Sequence, residues 1–294
     1  MSKIIDALEK AKQDGHLEQT AGALAERDTL APVAAPTRKR KAVRKKRRDG
    51  PQLLTTRTLA PEVLAGVDPH LETLHKPMSV VSEQYRALRN RIERMNFEGR
   101  LHTMAVTSAI KGEGKSVTAA NLAVVLAQDV TKDVLLVDAD LRRPKIHKLL
   151  HLDLSPGLGE CLRDENRLRE PGWIRETPYF GLDVVTAGEV HGHPAELLAS
   201  PQLSEMLDQW RSRYDYVVFD TPPLHPISDV NFLTDMVDGV LLVVRANKTS
   251  KSLLKQAVTS VPSQKLIGTV LNRSETLSRG YGYKGGYGYY YKYY

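Results

Sequence analysis

From residue 101 onward, apolar positions fall into short runs that alternate with stretches of helical spacing. The runs predict strands at "HTMAVTS" (102–108), "DVLLVDA" (133–139), "LDVVTA" (182–187), "DYVVFDT" (215–221), "GVLLVVRA" (239–246) and "LIGTVLN" (266–272). Helical spacing predicts helices at about 115–128, 202–212, 228–236 and 250–261. Near-continuous Val/Leu strands between helices belong to a mostly parallel sheet covered on both faces, reached by right-handed crossovers. Ahead of this block, Val81, Tyr85, Leu88, Ile92 and Met95 recur at spacings of four and three, which predicts an amphipathic helix over 82–95. Residues 1–13 read as a short helix with Ile4, Ile5, Leu8 and Ala11 on one face and Ser2 as N-cap. Residues 14–78 show no periodicity and read as a linker with little fixed structure. The pattern stops after Asn272. The expected organisation is therefore a helix and basic, disordered linker (1–78), an α/β domain (79–274) and a disordered tail (275–294).

Charge sharpens this division. The chain has a net charge of +7, yet "RKRKAVRKKRR" (38–48) alone carries nine positive charges, and the remainder is close to neutral. Such a run self-repels and stays extended. It serves as a solvated linker, a contact for an anionic membrane or acidic partner, or a nucleic-acid contact; no aromatic or recognition-helix pattern adjoins it, which argues against nucleic acid. Cys161 stands alone, so an internal disulfide is excluded and a small buried hydrophobe is expected. No apolar stretch approaches the ~20 residues that span a bilayer. The charged start "MSKIIDALEKAKQDG" does not resemble a signal peptide. A cytoplasmic protein is expected.

Three motifs carry chemistry. "AIKGEGKS" (109–116) follows a predicted strand and opens a predicted helix, the setting in which a glycine-rich loop cradles phosphates. Lys111, Gly112, Glu113, Gly114, Lys115, Ser116 and Val117 are the expected nucleotide-binding stretch. Lys115 would reach the β- and γ-phosphates and Ser116 would ligate Mg²⁺, while Ala109 replaces the usual first glycine. "LLVDADLRRP" (135–144) places Asp138 and Asp140 at a strand end, where alternate residues share a side and a cation relieves their repulsion. Arg142 or Arg143 would pair with phosphate or carboxylate. "YVVFDTPP" (216–223) ends a hydrophobic strand on Asp220, a second candidate ligand for Mg²⁺. The set amounts to a P-loop site for a nucleoside triphosphate with Mg²⁺ and one carboxylate to spare. That carboxylate directs water in a hydrolase or orients a hydroxyl in a kinase. The tail "YGYKGGYGYYYKYY" holds eight of the twelve tyrosines. They are Tyr281, Tyr283, Tyr287, Tyr289, Tyr290, Tyr291, Tyr293 and Tyr294.

Taken together, the Walker A loop "AIKGEGKS", the "LLVDADLR" and "VVFDTPP" patterns, the helix motif "EQYRALR" and the tyrosine tail resemble the bacterial tyrosine kinases, P-loop autokinases that accompany polysaccharide co-polymerases. "HPAELLAS" (193–200) is also similar to a loop of that family, and the start "MSKIIDALEKA" is similar to soluble autokinases of exosortase-linked exopolysaccharide systems. The resemblance covers residues 79 to 294. It implies a P-loop fold, autophosphorylation of the tail in trans within a ring-like homo-oligomer, and control of exopolysaccharide synthesis and export. It implies further that Lys115, Asp138, Asp140 and Asp220 are catalytic, with Asp138 orienting the acceptor and Ser116, Asp140 and Asp220 around Mg²⁺. Glu83, Arg86 and Arg89 would mediate subunit contact, and Asn272 and Arg273 would contact the base. The implied partners are a membrane adaptor supplied as a separate chain and a cognate tyrosine phosphatase, with the kinase peripheral at the inner face of the cytoplasmic membrane.

Lys111 stands where the family often has proline. A second loop lysine is also a feature of dimerising MinD/ParA-type ATPase switches, but there it stands one residue earlier, where this chain has Ile110. An ATPase switch without kinase activity is the alternative reading. A scaffold built on the basic run and the Tyr/Gly tail is a third.

Overall fold

The computed structural model describes residues 59–96, 99–164, 166–167, 171–225 and 229–274. The expected helix over 1–13, the basic run and all eight tail tyrosines lie outside the described residues. All six expected strands form, as β1 (Thr103–Ser108), β2 (Val134–Asp138), β4 (Leu182–Val185), β5 (Tyr216–Asp220), β6 (Gly239–Arg245) and β7 (Leu266–Asn272). A two-residue strand, β3 (Arg175–Glu176), was not expected; it adds an antiparallel edge to β4. The sheet order is β3-β4-β2-β5-β1-β6-β7, with every pair except β3–β4 parallel.

Alternation along the strands builds two cores. Ala105, Leu135, Val137, Val217 and Phe219 face one side; Met104, Val106, Val134, Leu136 and Val218 face the other. The first face is covered by α5 (Leu158–Arg163), α6 (Pro194–Leu198), α7 (Pro201–Arg213), α8 (Asp229–Met236) and α9 (Lys251–Thr259), with Trp210 stacked at a tilt between Phe219 and Trp173. The second is covered by α3 (Lys115–Ala127) and α4 (Ile146–Leu149). Every residue of α3 except Val117 is buried. A helix hidden on all sides needs no polar stripe, which is why "VTAANLAVVLA" is apolar around its whole circumference.

The cover over α3 corrects the expected linker. Residues 59–78 contribute to the core: Val67, Leu71 and Leu74 are buried, the last two around α1 (Glu72–His75). Asn121 in mid-α3 accepts from the Thr73 amide (3.1 Å) and hydroxyl (2.8 Å) and donates to the His70 carbonyl (3.0 Å). Pro69 falls within the i, i+4, i+7 stripe at 67, 71 and 74 and argues against reading it as one helix. Next comes α2 (Val80–Met95), capped by Ser79, whose hydroxyl accepts from the Ser82 amide. Its expected stripe is graded: Ile92 is buried, Tyr85 and Leu88 are half-buried, and Met95 is exposed.

Register places the chemistry. Asp138 pairs with Asp220 across β2 and β5, and Val106 pairs with Asp220 across β1 and β5. The two motif carboxylates and the loop leaving β1 therefore emerge side by side at the carboxyl end of the sheet, where open α/β sheets hold ligands.

Candidate active site

The glycine-rich loop joins β1 to α3. Gly112 and Gly114 have φ of +83° and +97°, the left-handed region that glycine enters without penalty. A Cβ on Gly114 would stand 2.0 Å from Nδ2 of Asn272. Glycine is thus required there by the fold as well as by any ligand. Lys111 and Gly112 are exposed, and Val117 is half-buried.

Glu113 behaves unlike a residue between two loop glycines. It is fully buried, and its carboxylate turns inward: Oε2 accepts from the Ile110 amide (3.0 Å), and Oε1 accepts from the Arg245 amide (3.3 Å) and the Thr249 hydroxyl. Its carbonyl accepts from Asn272 Nδ2 (2.8 Å). The side chain therefore ties the loop to the end of β6, and the carbonyl ties it to the end of β7. Asn272, expected at the base, has its amide group engaged with the loop and its Oδ1 engaged by the Arg273 amide (2.8 Å). Arg273 is exposed with φ of +54°.

Lys115 is buried at the start of α3, where its ammonium lies 2.6 Å from Asp140 Oδ2, 3.4 Å from Asp220 Oδ1 and 3.4 Å from Ser116 Oγ. Burial alone would lower its pKa, but Asp220 and then Asp140 outweigh that, and the net shift is upward. Asp220 is fully buried, and burial raises its pKa against the pull of Lys115. Its Oδ2 is buried with no hydrogen-bond partner.

Asp138 stands apart. Strand β2 ends at Asp138, so Asp140 lies in a turn and the alternation expected for two residues on one strand does not hold. Asp140 faces Lys115, whereas Asp138 Oδ2 accepts from the amides of Lys145 and Ile146 (2.9 Å each) and its Oδ1 accepts from the Asp140 amide (3.3 Å). Burial, then the charge of Asp220, pushes the Asp138 carboxyl up to about 8. Two neighbouring carboxyls with separated environments are suited to separate roles.

The donor set fits a divalent cation. Among the described residues no cluster of three or more His, Cys, Asp or Glu stands ready for a metal. Magnesium, however, takes one or two carboxylates and completes its shell with phosphate and water. Ser116 Oγ, Asp140 and the orphaned oxygen of Asp220 converge where the Lys115 ammonium now supplies positive charge. Arg142 is exposed beside them.

The helix motif lies elsewhere, on α2. Arg86 pairs with Glu83 and donates to the Pro77 carbonyl (2.6 Å), and Arg89 donates to the Val125 carbonyl at the end of α3 (2.9 Å). Sequence reasoning missed Thr249 and the inward role of Glu113. Two of the partners of that carboxylate lie 132 and 136 positions away, so no local pattern marked them.

A family model described as an AAA domain matches residues 101–270. Tyrosine-protein kinase YwqD of Bacillus subtilis is 39% identical over 214 residues, 71% of this chain and 89% of that protein. The succinoglycan biosynthesis transport protein ExoP of Rhizobium meliloti is 32% identical over 68% of this chain and 26% of its own length. Among solved structures, the kinase domain of the Escherichia coli tyrosine kinase ETK superposes with a TM-score of 0.65 at 29% identity, over 74% of this chain and 85% of that one.

Proposed function

Because the chain belongs to the bacterial tyrosine-protein kinases, a P-loop family that binds ATP, we propose that it transfers the γ-phosphoryl group of ATP to tyrosines of its own C-terminal run. The observation that carries this reading is the division of labour at the sheet end. A buried lysine sits among Ser116, Asp140 and Asp220, and a third carboxyl, Asp138, is held separately within the same pocket of strand ends.

On this reading the main-chain amides of 112–116, at the positive end of α3, bind the phosphates. Lys115 leaves its two carboxylates to meet the β- and γ-phosphates, which frees Asp140 and Asp220. Mg²⁺, held there with Ser116, would neutralise charge building on the transferring group. The tyrosine oxygen attacks the γ-phosphorus while the bond to the β,γ-bridging oxygen breaks. Asp138 accepts the phenolic hydrogen bond and then the proton; a tyrosine of pKa near 10 needs such an acceptor. Asp138 accepts only in its ionised form, and the raised pKa that burial gives it makes that form a stronger base than an ordinary carboxylate. Arg142 is proposed on the phosphates, and Arg273 near the base.

The tail enters the site of a neighbouring copy, with Glu83, Arg86 and Arg89 at the subunit contact. The polysaccharide role rests on the named relatives, of which ExoP is a succinoglycan biosynthesis transport protein. A separate membrane adaptor and a tyrosine phosphatase are the proposed partners, with the chain peripheral at the inner membrane face. No helix among the described residues is long and apolar enough to cross a membrane. The alternative, an ATPase switch without kinase activity, is weaker beside relatives that carry tyrosine kinase names. Labelled γ-phosphate separates the two. The kinase reading expects label on tyrosine; brisk release as inorganic phosphate with no phosphotyrosine would favour the switch.

A further inference from the structure

The chain segment that crosses α3 meets α4 and the residues that follow it in two places. The Asp68 amide donates to the Leu149 carbonyl (2.9 Å). At Gly66, whose φ is +80°, a Cβ would lie 2.5 Å from Cγ of the His151 ring. Helix α4 is tied at its other end as well, through the Lys145 and Ile146 amides that donate to Asp138 Oδ2. Ile146, Leu149 and Leu150 pack in the same core as Val67 and Leu71. Only one turn of helix, about 6 Å of rise, separates the contact with loop 66–68 from the carboxylate. A packed unit this short moves as a body, so a shift at one end reaches the other.

We propose that loop 66–68 sets the position of the Asp138 carboxylate through α4, which makes Gly66 and His151 positioning residues for phosphoryl transfer. The proposal rests on the reading of Asp138 as the carboxylate that orients the acceptor. It separates two functions of the site. The hydrogen bonds that brace the phosphate loop join Glu113 to Arg245, Thr249 and Asn272, and none of them runs to α4, so a displaced loop 66–68 should alter transfer more than nucleotide binding. Residues 59–71 also receive the chain from the first 58 residues.

The test uses the full chain with Gly66→Ala, His151→Gly and the double variant, following amide hydrogen exchange at Lys145 and Ile146 and tail phosphorylation per nucleotide-binding site. Gly66→Ala should speed exchange of those two amides about tenfold and lower turnover about tenfold, the scale of a sub-ångström to ångström misplacement, with ATP Kd within about twofold. Removing the ring in Gly66→Ala/His151→Gly restores the room but leaves alanine strained at a φ of +80°, so both readouts should recover by about threefold from Gly66→Ala without reaching the wild type. His151→Gly alone, at a φ of +53° that glycine adopts freely, should speed the same amides about threefold and provides a folded variant independent of Gly66. Wild-type exchange in both single variants overturns the proposal. So does altered exchange with unchanged turnover, or a folded double variant whose deficit is as large as that of Gly66→Ala. A wild-type protein that phosphorylates no tyrosine, yet whose amides respond as expected, removes the functional reading while supporting the link from loop 66–68 to Asp138.

Discussion

Two buried carboxyls, Glu113 and Asp138, do most to shape the site, and neither can be replaced without a measurable signature. Glu113→Ala leaves the Ile110 and Arg245 amides and the Thr249 hydroxyl without their acceptor. An unsatisfied buried donor costs about 1–3 kcal/mol, so a melting temperature lowered by several degrees is expected together with a KM for ATP raised at least about fivefold. An unchanged KM would show that the brace does not shape the loop. Asp138 gives a dependence on pH. With its carboxyl raised to about 8 in the nucleotide-free protein, the folded state holds a proton that the unfolded state releases from about pH 4 upward. This contribution to stability therefore declines as pH rises and is fully lost above about 8. His147 runs the other way, since burial and then Lys148 lower its pKa, so the comparison must be with Asp138→Asn. The variant should melt with a flatter profile than the wild type between about pH 5 and 8; parallel profiles would contradict the assignment. These residues also mark the limit of sequence reading. Asp138, Asp140, Asp220 and Lys115 were legible because strand ends and a glycine loop announce them. The inward turn of Glu113 depends on partners brought in by β6, and the separation of Asp138 from Asp140 depends on where β2 stops.

At the scale of elements, six strands and the larger helices followed from apolar spacing, because buried parallel strands and long helices carry strong periodicity. Segment 59–78 did not. Its helix has four residues, and its attachment runs through a buried polar clamp at Asn121, so burial here leaves little imprint on spacing. Helix α2 was read correctly as an element, while its arginines face two demands. Arg86 and Arg89 tie α2 to Pro77 and to the end of α3 within one chain, and the proposed subunit contact uses the same helix. Replacing both with alanine should weaken oligomerisation at least about tenfold and lower stability by about 1–2 kcal/mol, with ATP binding unchanged. Sedimentation of the variant gives the answer; an unchanged mass distribution would remove α2 from the subunit contact.

For the whole molecule, charge is distributed in a way that phosphorylation can invert. The chain carries +7, nine of its positive charges lie in residues 38–48, and residues 281–294 contain eight tyrosines and no acid. Each phosphate adds about −1.5 to −2 charges. Full modification of the tail would therefore make the chain net negative and repel the tail from the acid-rich site of a neighbour. Phosphorylated protein should form smaller assemblies than dephosphorylated protein at about 0.1 M salt, with the difference shrinking at about 1 M as screening sets in. Equal sizes at low salt would contradict this role for the tail.

On the proposed reading, the site at the sheet end acts on the chain's own tyrosines. Site-resolved mass spectrometry of the purified protein after incubation with ATP and Mg²⁺ tests it most directly, with Lys115→Ala in parallel. The expected result is phosphate on several tyrosines between Tyr281 and Tyr294 in the wild type and none in Lys115→Ala, whose phosphate clamp is gone. A wild-type tail that stays unmodified while ATP is consumed, or a Lys115→Ala tail modified to the same extent, would contradict the account.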